Sequence, residues 1–323
     1  MPYTRGMRTL AVSLALVLGS VAFASFDLML LGDNTTAGAQ RVMRYDPVNR
    51  VVLGSFGSGF IGGDITSIAV DQVGGRAFVA TGGLVKVFNY NTGAFLDAFS
   101  SSYGDIEYDA GLNRLTVANG TGSGSDPVRV YDGSTYTELA TLTDRYYSTA
   151  AIRRPGTSWY ASFGLPANAA TVNAIRNSLA GGSPLPFDAI GPSWSSTNAP
   201  RAAIFTNTNQ FMGISADNST NTTKLWTVDT DTSGFVGGLG VWGSMGAYAA
   251  NANIANGHGS LAYLLMGTNL VTYHTGLQTV LGTQSLGFSS NIRGMAVVIA
   301  PEPGTMIALA AGVGALLRRR RRS

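Results

Sequence analysis

The chain has 323 residues, no cysteine and a formal net charge of +3, with 45% hydrophobic and only 12% charged residues. The lack of cysteine excludes disulfides and thiolate metal sites. Seven of the 21 lysines and arginines are arginines near the two ends, so the remainder holds 14 cations against 18 acids, a net charge of −4. Nucleic-acid binding therefore loses its main electrostatic support, and we predict no nucleic-acid partner.

The first 24 residues have the layout of a secretory signal peptide. Arg5 and Arg8 form a positive leader, residues 10–21 are apolar, and Ala22 and Ala24 supply small residues at a cleavage site. The apolar stretch is shorter than the roughly 20 residues that a permanent span needs. We predict a signal helix over residues 1–24, cleavage after Ala24, and export.

The body, residues 25–300, repeats a pattern of four short strands joined by tight turns. Gly and Asn, which accept positive φ angles, occupy the turns of the first repeat at 74–75 and 91–93. The strands predicted for this repeat are 66–71, 76–81, 84–89 and 94–99. The pattern returns four times, over residues 105–142, 148–175, 201–239 and 250–283.

Two leftover fragments complement each other. Residues 293–299 resemble a first strand with no successors, and residues 26–31, 40–45 and 50–56 resemble second, third and fourth strands with no first. Joined, they form a sixth unit, as in a β-propeller whose chain ends share one blade. We therefore predict an all-β fold, a six-bladed β-propeller closed by pairing the N- and C-terminal strands. Because the third unit is irregular, five or seven blades remain alternatives.

The third unit contains a segment, residues 163–199, that is rich in proline and hostile to central strands. We interpret it as a long surface loop. The alternative is a lid or binding loop, for which Trp159, Tyr160, Phe187 and Trp194 would offer stacking area to a sugar.

Three carboxylates are the main candidates for chemistry. Asp105, Glu107 and Asp109 alternate along one predicted strand and should share a face. Paired carboxylates can act as general acid and base or bind a cation. The simpler interpretation is a channel lined with solvated acids.

Other candidate sites are weaker. His258 and His274 are the only histidines and lack metal-ligand spacing, so we interpret the first as a loop residue and the second as structural. Residues 229–234 begin like a calcium loop, but its twelfth position is Gly240, where a bidentate Glu is needed. We predict no metal, no cofactor and no catalytic set.

The C-terminal segment, residues 301–323, has three parts in order. Pro301, Glu302 and Pro303 are followed by an apolar run over 304–317 and then by Arg318, Arg319, Arg320, Arg321 and Arg322. As a helix the apolar run would reach about 21 Å, less than the roughly 30 Å of a bilayer's hydrocarbon core. The arginines should stay cytoplasmic, with the body on the other side. We predict a short, marginal membrane helix.

This combination resembles the PEP-CTERM sorting signal of Gram-negative bacteria. The resemblance implies processing by an exosortase-type membrane protease, which cleaves near the motif, and an association with surface polysaccharide and biofilm matrix. It covers only residues 301–323 and concerns sorting, not the body. An ordinary short C-terminal anchor is the alternative.

Two classes of function remain. The first is an exported propeller, transiently anchored in the inner membrane, that binds or scaffolds extracellular polysaccharide in the envelope or surface matrix. The second is an exported lyase or hydrolase acting on polysaccharide or a lactone, for which only the histidines and the acids near Asp105 could serve.

Overall fold

The computed structural model describes residues 25–101, 104–118, 128–142, 146–153, 159–166, 174–178, 185–186, 198–207, 210–229, 239–288 and 291–301. The predicted signal helix and C-terminal membrane helix fall outside these residues. Within the described ranges, no helix has the length and apolar character to cross a bilayer.

Twenty-four strands form six four-stranded antiparallel sheets, each numbered here from its innermost strand outward. Sheet 1 contains β4 (Ile65–Asp71), β5 (Arg76–Thr81), β6 (Leu84–Asn89) and β7 (Phe95–Ser100). Sheet 2 contains β8 (Ile106–Asp109), β9 (Arg114–Val117), β10 (Val128–Asp132) and β11 (Glu138–Leu142). Sheet 3 contains β12 (Tyr146–Arg153), β13 (Trp159–Pro166), β14 (Ala174–Ser178) and β15 (Leu185–Pro186).

The other three sheets follow the same plan. Sheet 4 contains β16 (Asn198–Asn207), β17 (Gln210–Asp217), β18 (Thr222–Asp229) and β19 (Leu239–Ala247). Sheet 5 contains β20 (Asn253–Asn256), β21 (Leu261–Met266), β22 (Asn269–His274) and β23 (Thr279–Ser285). Sheet 6 contains β24 (Ile292–Pro301), β1 (Ser25–Asp33), β2 (Arg41–Asp46) and β3 (Val51–Phe56).

The sheets stand side by side around a central axis. The innermost strands of consecutive sheets contact one another, and β24 contacts both β4 and β20. The outermost strands β3, β7 and β23 are largely exposed and form the rim. This arrangement is a β-propeller, and it confirms the all-β propeller predicted from the sequence. Sheet 3 is described by its backbone alone.

Alternation along each strand explains why both faces of a sheet are apolar. On β1, Met29 and Leu31 pack with Leu265 of sheet 5, whereas Leu30 points the other way and packs with Ile68 of sheet 1. Successive side chains of a strand project to opposite faces, so one strand supplies two interfaces between blades. The core is therefore a series of apolar layers between neighbouring sheets.

Sheet 6 contains the predicted closure. β24 pairs with β1 from Ile292↔Asp33 to Pro301↔Ser25, across one bulge. The strand extends through Pro301, one residue beyond the predicted body boundary at 300, so the first proline of the C-terminal motif belongs to the sheet. Proline is tolerated here because β24 is an edge strand of its sheet.

Hydrogen bonds between side chain and main chain also connect sheet 6 to its neighbours. The Asn34 amide donates to the carbonyl of Ile65 and accepts from its N–H, both at 2.9 Å. The buried Asp27 carboxylate accepts from the His258 N–H at 3.0 Å and from the Tyr263 hydroxyl at 2.7 Å. The N-terminal strand is thereby held to sheet 1 on one side and to sheet 5 on the other.

The third unit departs from its prediction in one respect. The predicted repeat ends at residue 175, whereas the structure continues with β14 at Ala174–Ser178 and a fourth strand, β15, of only two residues. The proline-rich sequence limits β15 because proline lacks the N–H that a ladder requires.

Candidate functional site

A central cavity of about 190 Å³ lies where the innermost strands converge. Its walls come from β4, β16, β20 and β24 and from residues 105–108. Most of the lining residues are aliphatic, and the residues with polar side-chain atoms are Ser67, Gln72, Asp105, Glu107, Tyr108, Asn253 and Asn256. This channel is the place where side chains from distant repeats meet.

Asp105 and Glu107 both line the cavity, as the alternating pattern predicted. Asp105 immediately precedes β8, and its Oδ1 accepts a hydrogen bond of 2.6 Å from the Ser67 hydroxyl on β4. Burial raises the pKa of Asp105 to about 7, although the Ser67 bond opposes the shift. The surrounding sheets enclose this carboxyl, and the channel still gives it contact with water.

The pKa of Glu107 is raised by burial and by neighbouring negative charges. Burial raises its pKa to about 8, and the negative charges of Asp105 and Asp109 add to the effect. Two neighbouring carboxylates in a poorly solvated site do not both ionise easily. Both carboxyls therefore retain a proton more readily than they would in water, and a pair of this kind can exchange a proton with a bound molecule.

The third predicted acid does not join this pair. Asp109 ends β8, where its Oδ1 accepts the Leu112 N–H at 3.0 Å, and it does not line the cavity. The common face predicted for the three acids stays a prediction. Of the three, Asp105 and Glu107 line the cavity, whereas the side chain of Asp109 caps the turn that follows the strand. Its charge still influences Glu107.

Across the channel lies β20, which stands opposite β8 in the order of innermost strands. Asn253 lines the cavity from this side and is 7% exposed. Asn256, at the end of the same strand, donates from Nδ2 to the Phe205 carbonyl at 3.1 Å. The channel thus has acids on one wall and amides on the other. Sequence reasoning identified neither Ser67 nor Asn253, because each belongs to a different repeat from Asp105. Packing of β4 against β8 brings Ser67 to Asp105, and the ring of sheets brings Asn253 to the same cavity.

The two histidines lie outside the cavity. His258 is exposed in the turn between β20 and β21, and its main chain binds Asp27. His274 ends β22, and its Nδ1 accepts the Leu277 N–H at 3.0 Å, which fits the predicted structural role. Within the described ranges, no three His, Asp or Glu side chains form a cluster that could hold a metal.

Several other predicted site residues have side chains outside the described part of the chain. Trp159 and Tyr160 lie on β13, whose side chains are outside the described residues, as are Phe187, Trp194 and residues 230–238 of the calcium-like loop. The sorting residues Glu302 and Pro303, the five arginines, and Ala22 and Ala24 also lie outside them.

The comparisons with solved structures agree on the fold. TolB from Acinetobacter baumannii matches with a TM-score of 0.61 at 12% identity, over 89% of this chain and 71% of that one. A chain of a nidogen/laminin complex matches with a TM-score of 0.60 at 9% identity, over 84% and 98%. Hydrazine synthase from Kuenenia stuttgartiensis matches with a TM-score of 0.55 at 12% identity, over 74% and 72%.

These identities are too low to transfer a function, and they support the propeller alone. No family model matches the chain. No curated protein matches it.

Proposed function

We propose that this chain is an exported bacterial envelope or surface protein, sorted through a PEP-CTERM type signal at residues 301–323. An exosortase-type membrane protease would process it, and its propeller body would bind or scaffold extracellular polysaccharide. A signal peptide over residues 1–24 would direct export, and the C-terminal segment would anchor the precursor transiently in the inner membrane.

The observation that carries this proposal is the pairing of Ser25 with Pro301. Signal cleavage is predicted after Ala24, and sorting cleavage is predicted near residues 301–303. Both positions adjoin the end of the β1–β24 pair at which Ser25 and Pro301 are partners. Removal of the two segments would therefore leave every described strand of the propeller in place. A body bounded by two removable segments is suited to export and subsequent release or display.

The body in this proposal is a six-bladed ring. Support comes from the innermost strands, since β12 of sheet 3 contacts both β8 and β16 and so occupies the position between sheets 2 and 4. Sheet 3 is also a four-stranded sheet like its neighbours. An experimental structure of the body with five innermost strands around the axis would contradict this count.

Mass spectrometry of cell fractions tests the sorting. We expect the mature protein to begin at Ser25, to end near Pro301 and to occur in the envelope or the medium. Replacement of the five arginines, Arg318 to Arg322, by serine should leave the precursor mis-sorted. Intact termini in a cytosolic protein would overturn the proposal.

The alternative function is an exported lyase or hydrolase acting on polysaccharide or a lactone. Asp105 and Glu107 favour it, because two carboxyls of raised pKa in one cavity resemble a general acid–base pair. Metal analysis of the purified chain and an activity screen on acidic polysaccharides separate the two functions. Turnover that disappears in Asp105→Asn or Glu107→Gln, but persists in the rim variant Asp97→Asn, would establish the enzyme. Saturable polysaccharide binding without turnover would establish the binding protein.

A further inference from the structure

The two faces of the propeller can be distinguished by the chain ends. Gly294 of β24 lies against Ser67 of β4, so these innermost strands run at the same level around the axis. Pro301, at the end of β24, is therefore on the same side as Asp71, at the end of β4. We call this side the tail face. It also contains the turns that join the third and fourth strands, since the Tyr90 N–H donates to the Gly75 carbonyl at 3.0 Å.

The tail face has exposed aliphatic side chains at the tips of four turns. Two turns join first and second strands, and two join third and fourth strands. The exposed fractions are large for such residues: Val48 72%, Val73 94%, Leu112 43% and Leu277 69%. The four residues come from sheets 6, 1, 2 and 5, so they are distributed around the ring.

Each of these residues also has its main-chain N–H satisfied inside its own turn. The acceptor is the side chain that ends the preceding strand: Asp46 for Val48 at 2.8 Å, Asp71 for Val73 at 3.1 Å, Asp109 for Leu112 at 3.0 Å and His274 for Leu277 at 3.0 Å. An N–H with a protein partner can leave water without the large cost of an unsatisfied donor. The tips are therefore suited to a poorly hydrated environment.

The turn geometry does not require an aliphatic residue at these positions. In the same kind of turn, Asp132 accepts the N–H of Ser134 at 2.8 Å and Asp217 accepts that of Ser219 at 3.0 Å. The first of these turns joins β10 to β11 on the tail face, the second joins β17 to β18 on the opposite face, and both tips are polar. The turn itself therefore does not account for the aliphatic side chains at the four tips.

We infer that the tail face rests on a lipid bilayer, with Val48, Val73, Leu112 and Leu277 inserted at the headgroup boundary while the precursor is anchored. This inference depends on the proposed membrane segment. Three residue steps separate Pro301 from Gly304, where the apolar run begins, and an extended chain covers at most about 3.6 Å per residue. If residues 304–317 enter the bilayer, the tail face is held within about 11 Å of it.

Single thiols give a direct test, because the chain has no cysteine of its own. The full chain is reconstituted in phosphatidylethanolamine–phosphatidylglycerol vesicles with an environment-sensitive fluorophore at one of four sites. Val73→Cys and Leu277→Cys report on the tail face, Asn218→Cys on the β17–β18 turn of the opposite face, and Ala308→Cys on the membrane segment. Unchanged thermal unfolding midpoints establish that each variant is folded.

We expect probes at Val73 and Leu277 to shift to shorter emission wavelength and to lose fluorescence to lipid-borne nitroxides, and the Asn218 probe to remain open to aqueous iodide. A lipid-embedded Ala308 probe together with fully aqueous probes at Val73 and Leu277 would overturn the inference and leave the proposed anchor intact. An aqueous Ala308 probe would overturn both. Equal quenching of the Asn218 and Val73 probes by lipid-borne nitroxides would also contradict the inference that only the tail face contacts the bilayer.

Discussion

Ser25 and Pro301 are paired residues at the end of the β1–β24 ladder, although 276 positions separate them in the sequence. The main chain between them forms the entire described propeller. The first and last described residues thus close the ring together. The segments that we propose are removed, residues 1–24 and the sorting segment, adjoin this same pair.

The protein should tolerate removal of the residues after Pro301, but it should not tolerate removal of β24. A chain that ends at residue 301 should keep the thermal unfolding midpoint of the full body. A chain that ends at residue 291 lacks β24, so the apolar side chains of β1 and β4 that pack against β24 become exposed. This chain should lose a large part of the 5–15 kcal/mol that typically stabilises a domain. Circular dichroism melting curves measure the difference, and equal midpoints would contradict the role of β24.

Asp27 should contribute strongly to stability, because it is buried and accepts bonds from the His258 N–H and the Tyr263 hydroxyl. Asp27→Asn would replace one of the two acceptor oxygens with an NH2 donor and remove the negative charge, and we expect a loss of about 2 kcal/mol in urea unfolding. Asp97→Asn on the exposed rim is the control and should change little. A double-mutant cycle with Tyr263→Phe should show coupling between the two side chains, and additive effects would argue against the bond.

Asp105 and Glu107 should make the protein less stable as the pH rises. Their pKa values in the folded protein, about 7 and about 8, lie above the usual 3.8 and 4.5, so the folded state holds more protons than the unfolded state between these limits. The free energy of unfolding then decreases with rising pH across that window, and the favourable contribution is complete only below it. Asp105→Asn with Glu107→Gln should flatten this part of the profile in urea titrations at pH 4 to pH 9. An unchanged slope would show that the two groups titrate normally.

Asp217 should have the opposite dependence. Burial raises its pKa, but hydrogen bonds from Lys224, Ser219 and Thr220 outweigh burial and lower it below the usual 3.8. Its stabilising effect is therefore present above about pH 4 and is lost as the pH falls. Asp217→Asn should be less stable than the parent at pH 7 and should show a smaller loss on acidification. Equal acid sensitivity of parent and variant, measured by the same unfolding assay, would refute this.

Gly213 should be intolerant of a side chain. A Cβ added there would lie 2.0 Å from the ring of Trp226, its cross-strand partner, so Gly213→Ala should cost about 1–3 kcal/mol or more. Gly282 on the exposed strand β23 has nothing within 4 Å of the added carbon. Gly282→Ala should be neutral or slightly stabilising, because alanine restricts the unfolded chain. Equal midpoints for the two variants would contradict the packing argument.

The sequence by itself determined the local structure. Alternating apolar residues and Gly, Asn and Asp turns specify strands and hairpins through interactions between residues close in the chain, which is why the strands of the first repeat were predicted within one residue of β4 to β7. The complementary end fragments even indicated the pairing of β1 with β24. The sorting signal at residues 301–323 stays a prediction, and it depends only on a linear order of residues.

Only the tertiary structure decided which polar groups share the channel and which turns share a face. Ser67, Asp105 and Asn253 line one cavity because the innermost strands of neighbouring sheets pack around a common axis, a relationship that no spacing along the chain encodes. The same is true of the aliphatic tips, which lie in separate repeats and form a common surface only after closure. Asp109 is an example: alternation predicted that it shares a face with Asp105 and Glu107, and the structure shows that its carboxylate accepts a hydrogen bond in the turn after β8.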